Sequence, residues 1–293
     1  MYRTVAFRLV MSTASCVILL VLFWTTPAIT ISSKFLIQQE TAERHIQIAH
    51  EAYKSKKYDA AKDEAKLALS LDKRMPSAHL LLGMIDWRQG KWDNAARHIK
   101  EALKWKPDYA DAHLFMGVLD FQRGDLGEAR KETETAISGG LRSATAFALL
   151  GQIKLATNKP EEALEAFEKA KQLTSPGDES ETSLNTKIEA IRGWIESKAE
   201  RTDQSYVKPR LLNNPMPKYA EEARHAGIQG SVHIGILINE EGKVISAFVF
   251  RGLGFGLDEE ALRAAQALKF LPATKNGKPV SYWLKVEVEF KLG

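Results

Sequence analysis

A recurrence of small residues every 34 positions is the strongest constraint on how this chain can fold. Gly83, Gly117 and Gly151 fall in one series, Ala61, Ala95, Ala129 and Ala163 in a second, and Ala68, Ala102, Ala136 and Ala170 in a third. A self-similar unit of that length holds two helices and a turn, and it cannot bury its apolar face without a neighbour. The small residues mark where two helices approach closely; Leu82, Trp92, Ile99, Leu149 and Phe167 fill between them. Four units fit over residues 42–177, running Ala42 to Met75, Pro76 to Tyr109, Ala110 to Ser143 and Ala144 to Gly177. Gly139-Gly140 is expected to end the second helix of the third unit early.

The period is that of tetratricopeptide (TPR) repeats, which these units resemble, and the resemblance implies a concave groove lined by the first helix of each unit. On this reading Tyr53, Leu80, Met84, Trp87, Arg88, Leu114, Val118, Phe121 and Gln122 form an apolar peptide groove with a basic edge, or pack in part between repeats. Asp86 and Asp120, also 34 apart, are expected to cap helices or to pair with Arg88 or Arg123. Residues 178–198 carry Leu184, Ile188, Ile191 and Ile195 at helical spacing, with Trp194 beside them, and read as a helix capping the array. Residues 199–214 are polar and aperiodic; as an interdomain linker they could reach about 50 Å if fully extended.

The last segment, 215–293, writes out a small sheet. Ser281 to Leu292 alternates, with Tyr282, Leu284, Val286, Val288, Phe290 and Leu292 on one face and Trp283, Lys285, Glu287, Glu289 and Lys291 on a face expected to be wet. Two earlier strands, Ser231 to Asn239 and Lys243 to Arg251, are joined by Asn239-Glu240-Glu241-Gly242, whose glycine supplies a positive φ. Two covering helices are expected. One runs from Lys218 to about Ala226 and is stopped by Gly227; the other runs from Glu259 to about Lys269, is capped by Asp258 and is stapled by Leu257 and Leu262. Gly252-Leu253-Gly254-Phe255-Gly256 reads as a flexible turn, and Asn276-Gly277-Lys278-Pro279 turns the chain into its last strand.

This segment resembles the C-terminal domain of the TonB family of energy transducers. The blocks that carry the resemblance are Pro217-Lys218-Tyr219 with Ala223, Gly227-Ile228-Gln229-Gly230-Ser231-Val232, Gly242-Lys243-Val244, Leu257-Asp258 with Ala261, Phe270-Leu271-Pro272-Ala273 and Asn276-Gly277-Lys278-Pro279-Val280. The chain departs from the family pattern at Ala220, Leu268 and Arg251-Gly252. The resemblance implies that the domain takes a segment of an outer-membrane TonB-dependent receptor as an added strand. Tyr282, Trp283, Leu284, Lys285, Val286, Glu287 and Val288 would form the accepting edge, since an edge strand offers unpaired main-chain groups. Two alternatives stand beside it: the last strand pairs with its own copy in a homodimer, or its charges simply guard the edge.

Residues 9–33 carry no charge and follow Arg3 and Arg8, which predicts a single membrane-spanning helix with residues 1–8 in the cytoplasm and the remainder in the periplasm; a cleaved signal peptide is the alternative. The resemblance implies a proton-driven inner-membrane motor (ExbB/ExbD-like) acting on this anchor. Ser12 and Ser15 are its candidate contacts, although no histidine precedes His45. The expected fold class is therefore multidomain: a transmembrane helix, an all-α repeat solenoid and an α+β domain of a three-stranded antiparallel sheet with two helices.

Signals for chemistry are missing from the sequence. The seven histidines, His45, His50, His79, His98, His113, His225 and His233, do not fall in metal spacing, one cysteine allows no disulfide, and no catalytic or cofactor motif is found. A net charge of +4 is too small to argue for nucleic acid. Binding, either as an energy transducer for uptake of scarce nutrients or as a periplasmic scaffold in envelope assembly, is the expected activity.

Overall fold

The structure, a computed structural model, describes residues 36–292. The expected anchor, with Ser12 and Ser15, lies outside the described residues, and among these no helix is long and apolar enough to cross a membrane. The chain divides into two compact units at Ile85/Asp86, each described here by itself.

The first unit holds α1 (36–54), α2 (Tyr58–Leu71) and the start of α3 (Pro76–Arg88). Ala61, Ala65 and Ala68 are fully buried and let α2 lie close to its neighbours, while Ile46, Leu81, Leu82 and Ile85 fill the core. Tyr53 packs edge-on against Tyr58, 5.6 Å between ring centres.

The second unit continues with helical hairpins: α4 (Trp92–Trp105), α5 (Ala110–Arg123) paired with α6 (Leu126–Ser138), and α7 (Ala144–Ala156) paired with α8 (Pro160–Leu173). The periodic small residues have the expected cause. Ala95, Ala129 and Ala163, with Ala102, Ala136 and Ala170, are all fully buried. A Cβ on Gly117 would lie 2.6 Å from Thr133 Oγ1, and one on Gly151 would lie 2.8 Å from the Phe167 ring, so each glycine lets the two helices of its hairpin touch. Helix α9 (Glu179–Glu196) follows, with Asp178 accepting the Ser180 N–H as its cap.

The sheet domain is an antiparallel meander of order β4-β3-β8, with β3 (Gly230–Ile238) central, β4 (Val244–Arg251) at one edge and β8 (Tyr282–Phe290) at the other. Val232, Ile234, Ile236 and Ile238 are fully buried on one face against α11 (Glu221–His225) and α12 (Leu257–Gln266). At the hairpin Gly242 has φ +80°, and Asn239 Oδ1 accepts the N–H of Glu241 and of Lys243.

Several expectations need correction. Helix α11 is only five residues long. Helix α12 begins at Leu257 behind Gly256 in the left-handed region, so Asp258 lies inside its first turn rather than capping it. Leu257 is accordingly too late to be the outer half of a staple. Asp258 instead accepts the backbone N–H groups of Leu253 and Gly254, and burial pushes its carboxyl upward in pKa. Residues 199–214 are not an open tether: α10 (Lys198–Thr202), β1 (Tyr206–Val207) and β2 (Arg210–Leu211) form there. Strand β2 pairs with β5 (Phe270–Leu271), and β1 pairs with β6 (Ala273–Lys275). Asn276 and Gly277, both at positive φ, turn β6 into β7 (Lys278–Val280) rather than directly into the last strand.

Candidate functional site

Strand β8 pairs with β3 in unbroken register from Tyr282↔Ile238 to Phe290↔Gly230. Its other side carries no strand among the described residues, leaving an edge of main-chain donors and acceptors. The edge is not uniform. Tyr282 and Trp283 are buried: the Tyr282 ring lies 6.1 Å from that of Tyr206, and burial raises its phenol pKa. From Leu284 onward the strand is open, with Leu284, Val286 and Val288 half-buried toward the helices and Lys285, Glu287 and Glu289 exposed on the opposite face.

Alongside this open stretch runs a cavity of about 480 Å³, walled by Leu284, Val286, Glu287, Val288 and Glu289, by Leu268 of the chain after α12, and by the strap of residues 209–217. The strap holds up apolar side chains without covering them: Leu212 is 59% exposed and Met216 90%. It is pinned by Asn213, whose amide donates to the Ala267 carbonyl and accepts the Lys269 N–H. A partly apolar slot beside an open strand edge is what an added strand with alternating side chains requires.

The face of β8 expected to be wet is covered at its head. Trp283 joins Phe248 and Phe250 of β4 around Trp194 of α9, the ring centres lying 6.1, 6.1 and 4.8 Å from that of Trp194 respectively. Gly235 opposite leaves the space, since a Cβ there would sit 2.7 Å from Phe248. Arg201 stacks on the outer side of Trp194, 3.7 Å from the ring centre. The sheet thus lies between its own helices and the repeat array. Sequence periodicity missed this contact, although two aromatics on alternate positions of β4 and a tryptophan on a charged face were its signal.

The residues of the predicted repeat groove are divided between the two units. Tyr53, Leu80 and Met84 belong to the first unit. In the second, Trp87 donates its indole N–H to Gln122 (2.6 Å), Arg88 lies over the Trp87 ring, and Leu114, Val118 and Phe121 pack on Ala129, Leu149 and Ile153 between repeats. The glycine-rich loop of the sheet domain enters this surface. Gly254, Phe255 and Gly256 are all at positive φ, and the turn sets Phe255 edge-on to Trp92 (4.8 Å) and Trp87 (6.5 Å). Part of the groove is therefore filled by the chain itself, and the expected flexible turn is a plug. Asp86 is buried beside His98 (3.7 Å), and burial raises the Asp120 carboxyl pKa.

These features define a helical-repeat array followed by a domain built on a three-stranded antiparallel sheet, and comparison with known families agrees. Residues 215–292 match the Gram-negative bacterial TonB protein C-terminal model, and tetratricopeptide repeat models match residues 46–110, 86–153 and 144–175. The chain therefore carries a TonB C-terminal domain preceded by tetratricopeptide repeats.

Among individual proteins, it is 33% identical over 87 residues to Protein TonB of Vibrio cholerae serotype O1, covering 29% of this chain and 36% of that protein. It is 30% identical over 82 residues to Protein tonB2 of Pseudomonas aeruginosa, covering 28% and 30%. The chain thus spans about a third of the length of these relatives. A solved structure titled "Functional Characterization of Pseudomonas Aeruginosa pilF" overlays with a TM-score of 0.48 at 20% identity, covering 57% of this chain and 79% of that one.

Proposed function

We propose that the chain is a TonB-like energy transducer, anchored in the inner membrane through residues 9–33, whose periplasmic sheet domain grips outer-membrane receptors by strand addition to β8. A proton-driven motor of the ExbB/ExbD kind would act on the anchor at Ser12 and Ser15, and the receptor would use the transmitted work to import scarce nutrients. The activity is binding rather than catalysis. One observation carries the reading: within the segment similar to TonB C-terminal domains, Leu284 to Glu289 has no second strand at its outer edge among the described residues and runs beside a partly apolar slot. Main-chain hydrogen bonds would supply a grip tolerant of receptor sequence, and Leu284, Val286 and Val288 would select apolar residues at alternate positions.

The test is recovery of receptors from envelope extract by the full chain and by Val286→Pro, with far-ultraviolet circular dichroism confirming that the variant is folded. The expected result is receptors retained by the wild type and lost by roughly tenfold or more in the variant, since proline removes a ladder donor and clashes with a neighbouring strand. Receptors absent from both, or retained equally by both, would refute the reading.

A further inference from the structure

The opposite edge of the sheet faces a second cavity, of about 400 Å³, enclosed between the repeat array and the sheet domain. Ala247, Phe248, Val249 and Phe250 of β4 all line it. Successive side chains of a strand point to opposite faces, so a space touched by four in a row looks onto the strand's edge. Strand β4 ends the sheet on that side, and among the described residues the main chain of these four hydrogen-bonds only within the sheet.

The far wall is polar. Gln152 of α7 and Ser183, Thr186 and Lys187 of α9 line it, with Phe121 and Leu262 as apolar ends. Lys187 is held over the Phe167 ring at 5.3 Å; burial pulls its ammonium pKa down, and the Asp258 and Glu259 carboxylates act on it through space in the other direction. At the α12 end lie Asp258, already accepting two backbone N–H groups, and the exposed Glu259.

We infer that this cavity is a second peptide site, in which an extended segment of roughly four residues, the span of β4 that lines it, adds to the β4 edge and turns an acidic side chain toward Lys187. Two walls require such a ligand. The β4 edge asks for a main chain, and the amide, hydroxyl and ammonium groups opposite meet that ligand's other edge. Lys187 attracts an acid at the α9 end, in competition with Asp258 and Glu259, which already act on its ammonium from the α12 end. The site is framed by the packing of the sheet domain on the repeats, around Trp194 and at Phe255, and it does not depend on the role proposed for β8.

The test uses the full chain and two blocked pentapeptides, acetyl-Thr-Val-Glu-Val-Thr-amide and its glutamate-to-lysine twin, with amide hydrogen exchange as readout. The glutamate peptide is expected to slow exchange at Ala247–Phe250 by about tenfold or more, the protection expected of a newly hydrogen-bonded edge. Lys187→Glu is expected to lose that effect and to gain it for the lysine peptide. Lys187→Met, which keeps the stem over Phe167, is expected to bind neither well and reports whether the fold survives. Protection confined to Leu284–Val288, no protection at β4 with millimolar peptide, or an effect indifferent to Lys187→Glu would overturn the inference.

Discussion

Replacing Trp194 by alanine separates a docked sheet domain from a tethered one. Trp194 belongs to α9, yet its ring meets Phe248, Phe250 and Trp283 of the sheet, each of which is 5% exposed or less. A fully buried tryptophan cut to alanine costs about 3–5 kcal/mol. Trp194 is half-buried, so roughly half that applies, to which three edge-to-face contacts add about 0.5–1.5 kcal/mol each. Part of the sum falls on α9 itself, leaving about 3 kcal/mol for the sheet, or roughly a hundredfold in its opening equilibrium. The assay is hydrogen exchange at the slow amides of Ile234 and Ile236, central in β3 and fully buried. If docking stabilises the sheet, those amides exchange about a hundredfold faster in Trp194→Ala. If the two parts are independent bodies on a linker, a change in α9 leaves them untouched, and that result would refute the docking argument. A cycle with Trp283→Ala sharpens it, because contacting residues are non-additive by about 0.5–3 kcal/mol and independent ones are not.

Two further outcomes follow from local geometry. Gly242→Ala places a methyl group 1.8 Å from the Phe270 carbonyl oxygen at φ +80°, so it is expected to lower the urea midpoint of the sheet domain by the equivalent of about 2 kcal/mol or more. Glu162, bound by Lys154 and Lys159 at 2.6 and 2.8 Å, has its carboxyl pKa lowered to about 2 from 4.5. A depressed carboxylate stabilises the fold above its unfolded value and loses that contribution as pH falls toward 2. Glu162→Gln is thus expected to differ from wild type in thermal melts at pH 6 and to converge with it as pH drops from about 4.5 to 2; a gap that widens on acidification would contradict the assignment.

The parts of the fold written in short-range patterns were legible from residues alone. The 34-residue series located close helix crossings because a Cβ at Gly117 or Gly151 has nowhere to go, and the alternation from Tyr282 to Phe290 registered correctly on β3. What stayed hidden depended on contacts between distant segments. Strands β1, β2, β5, β6 and β7 are two or three residues long, too short for periodicity to register. The residues around Asp258 carry a capping pattern, yet the run of left-handed residues from Gly254 to Gly256 moves the helix start back by two and frees Asp258 to bind the loop. Of the candidate site, the edge strand and the packed face that includes Tyr282 were readable, but the burial of Trp283 was not, since it depends on Trp194, 89 positions upstream.

The covering of both sheet faces also bears on how a pull at β8 would travel. A free sixteen-residue linker would lengthen toward about 50 Å before carrying load. Here the same segment is fastened along its length: Asp203 pairs with Lys275 at 3.4 Å, Tyr206 lies under the Lys275 ammonium at 4.4 Å, and Leu212 N–H donates to the Lys269 carbonyl at 2.8 Å. Strand β4, whose neighbour β3 carries β8, is held against α9 by the aromatic cluster. A force on the open part of β8 would therefore divide between the strap and a path through β3 and β4 into the repeats, where the Trp194 cluster and the Phe255 contacts with Trp87 and Trp92 share it. Trp194→Ala would convert a stiff connection into an extensible one. In single-molecule pulling between residue 86 and the β8 edge, the variant is expected to lose an early rip and to show the linker lengthening first; an unchanged order of events would mean that the cluster carries no load.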